Sequence, residues 1–352
     1  MDSDTKKYII MAVFALCLTF TLISSILMPN MSNSIKTILK NAKNENNIDE
    51  NPTMQTSIDK EMQPLKIQGK GAVLIEQSSK RVLYDDGKDE RCYPASTTKV
   101  LTALCVLRHL PLDRIVTVPQ EAEGVEGSSI YLKVGQIISV EDLLYGLMLR
   151  SGNDAAVALA IETSGSIEKF AELMNETAQS VGAKSSHFVN PHGLHDEMHF
   201  TTAYDLALIC AEAYENHDFV RIVSTKQRKI VIDGETRYIA NKNKLLSLYE
   251  GANGVKTGFT QKSGRCLVSG AKRCGMQLIG VVLNHYDMWK DTVRMLDFGF
   301  DNYYMCPYDD AMLTNGSSEI KVYAKQNATE NWHDLRYPVK KDGSERLVIE
   351  SR

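Results

Sequence analysis

Ser96 and Lys99, a serine and a lysine three positions apart, have the spacing for nucleophilic chemistry. A serine hydroxyl is a weak nucleophile until a neighbouring base takes its proton. If the segment after Pro94 is helical, residues at positions i and i+3 lie on one face and their side chains meet. Lysine can act as that base only if its pKa falls, which burial and a second nearby cation would cause. Lys256 is the candidate for the second cation.

Two further segments follow this pair along the chain, Ser151-Gly152-Asn153 and Lys256-Thr257-Gly258. Each alone is also explained structurally, as a helix cap, a turn or an edge strand. A Lys-Thr-Gly segment that follows the other two in order is on the order of a hundredfold rarer by chance than either of them. Ser151 and Asn153 are predicted to lie in a loop between two helices, where a hydroxyl could relay a proton and an amide could hold a peptide carbonyl. Together the segments indicate a serine acyl-transfer site.

Lys256, Thr257 and Gly258 are predicted to lie on a β-strand, where alternate side chains point to opposite faces. Lys256 and Gly258 then share one face, and Thr257 points to the other. A glycine leaves room for the backbone of a substrate, and an exposed strand edge can pair with an extended peptide. The backbone N–H of Ser96, at the start of a helix, could receive an oxyanion. These features favour a peptide as the substrate.

Four histidines between His187 and His199 lie close to Asp196 and Glu197 and could suggest a zinc site. They occupy a segment that contains the loop Asn190-Pro191-His192-Gly193, and the helical H-E-x-x-H arrangement is missing. We therefore interpret this segment as a loop that lines or supports the site. We predict no metal and no cofactor.

The composition is that of a globular protein. Of 352 residues, 43% are hydrophobic and 24% are charged, which is enough for a large core. The formal net charge of −4 provides no basic surface field, which argues against a nucleic-acid partner.

Residues 8–28 form an uncharged, apolar segment that follows Lys6 and Lys7. That length can span a bilayer, and the lysines before it predict that residues 1–7 stay in the cytoplasm. The end of the apolar segment reads Ile26-Leu27-Met28-Pro29-Asn30 and lacks the small residues of a cleavage site. This favours an uncleaved transmembrane anchor over a signal peptide. We expect a single-pass protein of the cell membrane with its catalytic part outside, and secretion after cleavage is the alternative.

The remaining sequence predicts an α+β fold. Residues 29–66 are polar without a sustained period and are predicted to be a flexible linker. Strands are predicted at 72–75, 81–84, 229–232, 254–257, 266–269 and 278–283, and helices after Pro94 and at 141–150, 154–163, 167–181, 203–215 and 287–299. This order predicts an antiparallel sheet flanked by helices, with a helical subdomain inserted between its halves. We assign 67–300 to a catalytic domain and 301–352 to an abbreviated C-terminal β-rich segment.

On these residues, over about 70–300, the chain resembles the D-alanyl-D-alanine carboxypeptidases among the low-molecular-mass penicillin-binding proteins. Further matching segments are Pro94-Ala95, Gly146-Leu147-Met148-Leu149-Arg150, Phe188-Val189-Asn190-Pro191-His192-Gly193-Leu194, Asn241-Lys242-Asn243-Lys244-Leu245-Leu246 and Gly254-Val255. The chain departs from the family at Asn284-His285-Tyr286, where some members have a basic residue that holds the substrate carboxylate, and in its short C-terminal segment.

The resemblance implies a β-lactamase-like fold and a role for each candidate residue. Ser96 would be the acylated nucleophile and Lys99 its base. Ser151 and Asn153 would supply the proton relay and the amide contact. Lys256 and Thr257 would anchor the substrate carboxylate, and the backbone N–H groups of Ser96 and Phe259 would form the oxyanion hole.

By the same resemblance, the protein would remove the terminal D-alanine from peptidoglycan stem pentapeptides through an acyl-serine intermediate. Peptidoglycan stem peptides would be its substrates and β-lactam antibiotics its covalent inhibitors. A DD-endopeptidase acting on cross-links and a non-catalytic cell-wall-binding scaffold are the alternatives. A β-lactamase is disfavoured, because its deacylating glutamate is expected about 35 residues beyond the second segment. That region reads Ser185-Ser186-His187-Phe188 here.

Overall fold

A computed structural model of the chain describes residues 65–307, 316–324 and 336–351. The predicted cytoplasmic tail, transmembrane anchor and nearly all of the predicted linker, residues 1–64, lie outside this range. Among the described residues, no helix is both long enough and apolar enough to cross a membrane.

The described strands are β1 (Gly71–Glu76), β2 (Val82–Asp86), β3 (Ile115–Thr117), β4 (Ile137–Ser139), β5 (Gln227–Ile232), β6 (Glu235–Ala240), β7 (Ala252–Thr260), β8 (Gly264–Arg273), β9 (Met276–His285), β10 (Tyr303–Pro307), β11 (Ser318–Ala324), β12 (Arg336–Lys340) and β13 (Glu345–Ser351). The described α-helices are α1 (Lys99–His109), α2 (Val140–Tyr145), α3 (Asn153–Ser164), α4 (Ile167–Ser180), α5 (Ala203–Ala213), α6 (His217–Ser224), α7 (Leu245–Leu248) and α8 (Met288–Asn302). Short 3-10 helices cover Ala95–Thr98 and Gln120–Ala122, and a π-helix covers Gly146–Arg150.

The main sheet has five antiparallel strands in the order β2-β1-β9-β8-β7. Its central strands are apolar at nearly every position because helices cover both faces, with α5 on one face and α8 on the other. Alternation along β1 divides its side chains between two cores. Val73 and Ile75 join the core shared with the helical part, whereas Leu74 packs with residues of α8 such as Met295 and Leu296.

The chain between β2 and β7 forms the predicted helical insertion. Helix α3 is buried over most of its length and carries small alanines that let its neighbours approach closely. The insertion also contains a four-stranded sheet in the order β3-β4-β5-β6, of which the sequence indicated β5 alone. Strands β3 and β4 have three residues each, too few for a period-2 pattern to be recognised.

The helix predicted at 141–150 is two elements rather than one. Helix α2 ends at Tyr145 and continues as the π-helix Gly146–Arg150, after which Ser151 has a left-handed φ of 65°. A wider turn of this kind often occurs at functional sites, and here it delivers Ser151 to the cleft described below.

The predicted C-terminal strands are confirmed within the described residues. Strands β10 and β12 pair antiparallel, and β11 and β13 pair parallel. Arg81, which follows the turn after β1, contacts this part of the chain through an ion pair with Glu345 at 2.5 Å.

Candidate active site

The 3-10 helix Ala95–Thr98 carries Ser96, and Lys99 is the first residue of α1. An ordinary helix start was predicted here, but in a 3-10 helix the side chains at i and i+3 are also aligned. The turn is closed by two hydroxyls, since Thr97 donates to the Pro94 carbonyl at 2.6 Å and Thr98 donates to the Ala95 carbonyl at 2.8 Å. Ser96 is thereby held half-exposed at the floor of a cleft.

The Lys99 amine lies at the centre of the candidate site. Its Nζ is 3.0 Å from the Ser96 hydroxyl, 2.6 Å from Asn153 Oδ1 and 2.7 Å from the His192 carbonyl oxygen. The side chain of Lys99 has no solvent exposure. The predicted meeting of Ser96 and Lys99 on one face is therefore observed.

Burial lowers the pKa of Lys99 well below its ordinary value, because desolvation disfavours the ammonium form. The positive charges of Lys256 and Lys242 lower it further, and Asp154 opposes them. Enclosure and Lys256 are the two causes that the sequence predicted, and both act on Lys99 here. Lys256 is itself buried, and burial together with Lys242 lowers its pKa to about 7.

Asn153 differs in position and partners from the sequence prediction. It is the first residue of α3 rather than part of a loop, because the turn that follows the π-helix is short and ends at Gly152. Its amide Oδ1 accepts from Lys99, and its Nδ2 donates to the Glu126 carbonyl at 2.6 Å. The Asn153 side chain therefore connects Lys99 to the loop that contains Glu126 and Ser128.

That loop is fixed by Asp154, for which no role was predicted from the sequence. The buried Asp154 carboxylate accepts from the backbone N–H groups of Ile130 and Leu132 and from the Ser129 hydroxyl. The carboxylate thus holds the wall of the cleft that contains Ser128.

Strand β7 forms the opposite wall. The predicted alternation is observed, since Lys256 and Gly258 are buried and Thr257 between them is partly exposed. A Cβ atom on Gly258 would lie 3.0 Å from the Ser96 backbone nitrogen and 3.1 Å from the Pro94 carbonyl oxygen. A side chain at this position would therefore press the Ser96 turn away from β7 by a few tenths of an ångström. Because β7 is the last strand of its sheet, its outer edge borders the cleft.

The cleft has a volume of about 390 Å³. It is lined by Ser96, Ser128, Ser151, Lys242, Lys244, Thr257, Gly258, Phe259, Arg265, Met288 and Trp289. Three of these residues are cationic and none is acidic. Lys242, which follows β6, donates to the Ser128 hydroxyl at 3.0 Å, so this cation is held against the wall that contains Ser128. The predicted residues Ser96, Ser151, Thr257, Gly258 and Phe259 all line this space, while Lys99, Asn153 and Lys256 lie buried.

The histidine loop, residues 187–199, contacts the turn that contains Ser96. Val189 donates its backbone N–H to His199 Nδ1 at 3.1 Å, which leaves the proton of His199 on Nε2, 2.8 Å from Thr98 Oγ1. His199 therefore donates to Thr98, and Thr98 donates to the Ala95 carbonyl. Burial lowers the pKa of His199 to about 3, which keeps the ring neutral. Among the described residues, no group of three or more His, Cys, Asp or Glu side chains could hold a metal ion.

A sheet covered by helices, with a serine and a buried lysine on a helical turn opposite an edge strand, defines the class of serine acyl-transfer enzymes. A sequence profile described as D-alanyl-D-alanine carboxypeptidase matches residues 57–287, and the chain belongs to this family.

Similar curated proteins include the D-alanyl-D-alanine carboxypeptidases DacF of Bacillus subtilis and DacC of Escherichia coli. DacF is 35% identical over 67% of this chain and 63% of its own length. DacC is 35% identical over 65% of this chain and 60% of its own length. The chain thus spans about three fifths of the length of these two relatives.

Solved structures agree with this assignment. The Streptomyces K15 DD-transpeptidase is 33% identical, with a TM-score of 0.64 over 67% of this chain and 98% of the other. A D-alanyl-D-alanine carboxypeptidase from Mycobacterium tuberculosis is 30% identical, with a TM-score of 0.65 over 67% of this chain and 92% of the other.

Proposed function

We propose that this chain is a serine-type D-alanyl-D-alanine carboxypeptidase that removes the terminal D-alanine from peptidoglycan stem pentapeptides. The observation that carries the proposal is the fully buried Lys99 amine, 3.0 Å from the Ser96 hydroxyl. Family membership supports the substrate class.

The hydrogen bonds of Lys99 suit a neutral amine. Asn153 Oδ1 and the His192 carbonyl oxygen can accept but cannot donate, so they take the two N–H groups of a neutral lysine. Of the three partners, Ser96 alone has a hydrogen to give. The lone pair on Nζ then faces the Ser96 O–H and removes its proton as the oxygen attacks the substrate carbonyl.

The first step forms a bond between Ser96 Oγ and the carbonyl carbon of the penultimate D-alanine. The backbone N–H groups of Ser96 and Phe259 receive the oxyanion, and the closeness of Gly258 to Ser96 brings these groups together. The peptide bond then breaks, and the proton that Lys99 took from Ser96 passes through the Ser151 hydroxyl to the leaving amine of the terminal D-alanine, which returns Lys99 to its neutral form. Water releases the acyl group in a second step, with Lys99 again taking a proton.

Substrate binding uses the edge of β7 and the positive charge that Lys242 and Lys244 give the cleft. An extended peptide can pair with this edge, as an added strand does. Its terminal carboxylate is held by Thr257 and by the field of Lys256. The absence of acidic residues from the described cleft lining favours an anionic peptide. A β-lactam, whose ring carbonyl occupies the same place, acylates Ser96 covalently.

A DD-endopeptidase acting on cross-links remains the alternative enzyme. It also cleaves after a D-alanyl residue and differs in the group that leaves. A non-catalytic wall-binding scaffold is opposed by the buried base and by the close approach of Gly258 to Ser96. Residues 8–28 are proposed to anchor the protein in the cell membrane, with residues 29–66 as a linker to an extracytoplasmic catalytic domain at 67–300.

The test is to incubate the full-length protein in detergent with a synthetic stem pentapeptide ending in D-Ala-D-Ala, and to measure free D-alanine and tetrapeptide by mass. Release by the wild type, none by Ser96→Ala and none from a stem ending in D-Ala-L-Ala would support the proposal. Failure of the wild type to release D-alanine, or undiminished release by Ser96→Ala, would contradict it. A cross-linked dimer of stems in a parallel assay distinguishes the endopeptidase.

A further inference from the structure

The cleft extends beyond the proposed reaction centre to a cation that the proposed mechanism does not use, Arg265. Arg265 is the second residue of β8 and pairs in register with Phe259 of β7. Its guanidinium carbon lies 5.8 Å from the centre of the Phe259 ring. The exposed Arg265 side chain lines the same cleft as Ser96 and Gly258, together with Trp289.

In the described part of the chain, the Arg265 guanidinium forms no ion pair. The adjoining cavity shares Arg265, Met288 and Trp289 with the cleft and adds one acidic residue, Asp287. The Asp287 carboxylate accepts the Lys290 backbone N–H at the start of α8, at 3.4 Å. Arg265 is therefore a guanidinium held beside an aromatic ring and available to an anion from outside the protein.

The position of Arg265 along β7 determines which part of a substrate it meets, if the proposed function holds. Thr257 is placed at the terminal carboxylate, and the N–H groups of Ser96 and Phe259 at the attacked carbonyl. The acyl part of an extended peptide then runs from Gly258 past Phe259, away from Thr257. Since an extended chain advances roughly 3.3 Å per residue, the residue before the acylated D-alanine lies beside Phe259, within reach of a side chain as long as that of Arg265.

We propose that Arg265 selects stem peptides in which the residue before the acylated D-alanine has a carboxylate on its side chain. Arginine is suited to this task because its planar guanidinium can form two parallel charge-assisted hydrogen bonds with a carboxylate. The chemical class is a side chain that ends in a carboxylate, in preference to one that ends in an amine. Lys242 and Lys244 in the same cleft disfavour the amine further.

The experiment compares three probes, acetyl-X-D-Ala-D-Ala with X as glutamate, glutamine or lysine, on the full-length protein in detergent. Glutamate and glutamine have the same shape and differ in charge. The wild type is expected to release D-alanine from the glutamate probe with a kcat/KM about fivefold above that for glutamine, as for a partly exposed ion pair. Lysine is expected to be the poorest probe.

Variants of Arg265 assign the preference to its charge. Arg265→Gln is expected to remove the preference while leaving the rate with the glutamine probe near that of the wild type. Arg265→Lys is expected to retain part of it, and Arg265→Glu is expected to reverse it in favour of the lysine probe. Asp287→Asn retains a capping side chain for α8 and removes the neighbouring negative charge, so it is expected to increase the preference.

Lys262→Gln is the matched control, because Lys262 is exposed in the turn between β7 and β8 and does not line the cleft. If Lys262→Gln lost the preference to the same extent, the preference would come from the electrostatic field of the whole protein rather than from Arg265. That result would overturn the proposal. If Arg265→Gln lowered kcat/KM equally for all three probes, Arg265 would act on the terminal carboxylate or on the stability of the fold. That result would also overturn the proposal. Release without any preference in the wild type contradicts this inference alone. No release from any probe contradicts the proposed function and this inference with it.

Discussion

Lys99 donates a hydrogen bond to Asn153 Oδ1 at 2.6 Å. An amide oxygen has no proton to return, so this contact orients the lysine amine and uses one of its N–H groups. The resemblance had implied that Asn153 contacts the substrate. The geometry gives it an additional position, between Lys99 and the Glu126 carbonyl.

Replacing Asn153 by alanine is expected to slow acylation of Ser96 by about tenfold to a hundredfold, because an amine that is not oriented is a poorer base. Stopped-flow acylation by a β-lactam measures this rate. Asn153→Asp is the informative partner, since it retains an acceptor and adds a negative charge. That charge favours the ammonium form of Lys99 and raises its pKa, so the rate should rise with pH at a higher pH than in the wild type. Identical pH profiles for wild type and Asn153→Asp would mean that the side chain at position 153 does not influence the pKa of the base.

The pH dependence of acylation should follow the neutral fraction of Lys99. Its lowered pKa predicts that the rate rises with pH and reaches a plateau well below the ordinary pKa of lysine. Lys242→Gln removes one of the two cations that lower this pKa, so the rising limb should move to higher pH. Lys229→Gln, an exchange of an exposed lysine on β5, is the control and should leave the profile in place. A limb that moves to lower pH in Lys242→Gln would contradict the assigned cause.

Thr98 joins the Ser96 turn to the histidine loop through two hydrogen bonds of one hydroxyl. Thr98→Val has nearly the same shape and loses both bonds, which leaves the buried Ala95 carbonyl and His199 without this partner. We expect a loss of about 1–3 kcal/mol in the free energy of unfolding. Acylation should slow as well, because Ala95 has a positive φ of 49° immediately before Ser96. Thr98→Ser retains the hydroxyl and should restore most of both losses. Equal losses in the two variants would mean that the two hydrogen bonds of the hydroxyl are not the cause.

The proposed membrane anchor has a direct test in cell fractionation. The full-length protein is expected in the membrane fraction with an intact mass near 39.3 kDa. High salt should not release it, because a spanning helix is held by burial of apolar surface. Native protein whose N-terminus begins between residues 25 and 40 would identify residues 8–28 as a cleaved signal peptide instead.

The sequence predicted those parts of the fold that repeat over several turns or strands. The buried strands at 72–75 and 278–283 and the helices α4 and α5 have sustained patterns and are confirmed. Short strands such as β3 and the π-helix after Tyr145 have no such pattern.

The same limit applies to the candidate site. Ser96 and Lys99 were predicted to meet because three positions along one helical turn fix their relation. The contacts of Lys99 with Asn153 and with the His192 carbonyl join residues that are distant in sequence, and tertiary packing alone brings them together. Lys242 lies in a segment that matches the family, but its contact with the Ser128 hydroxyl could not be predicted from that match. Arg265 gave no signal of a role, because a single exposed cation is common on any protein surface.

The central claim is that a neutral, buried Lys99 activates Ser96 for acylation. Rapid quenching after mixing the full-length protein with benzylpenicillin, followed by peptide mass mapping, tests it most directly when Lys99→Arg is measured beside the wild type. We expect one penicilloyl group per chain, located on Ser96. We also expect a rate at least about a hundredfold lower in Lys99→Arg, whose guanidinium cannot accept the serine proton at neutral pH. Labelling of another residue, or labelling of Lys99→Arg at the wild-type rate, would contradict it.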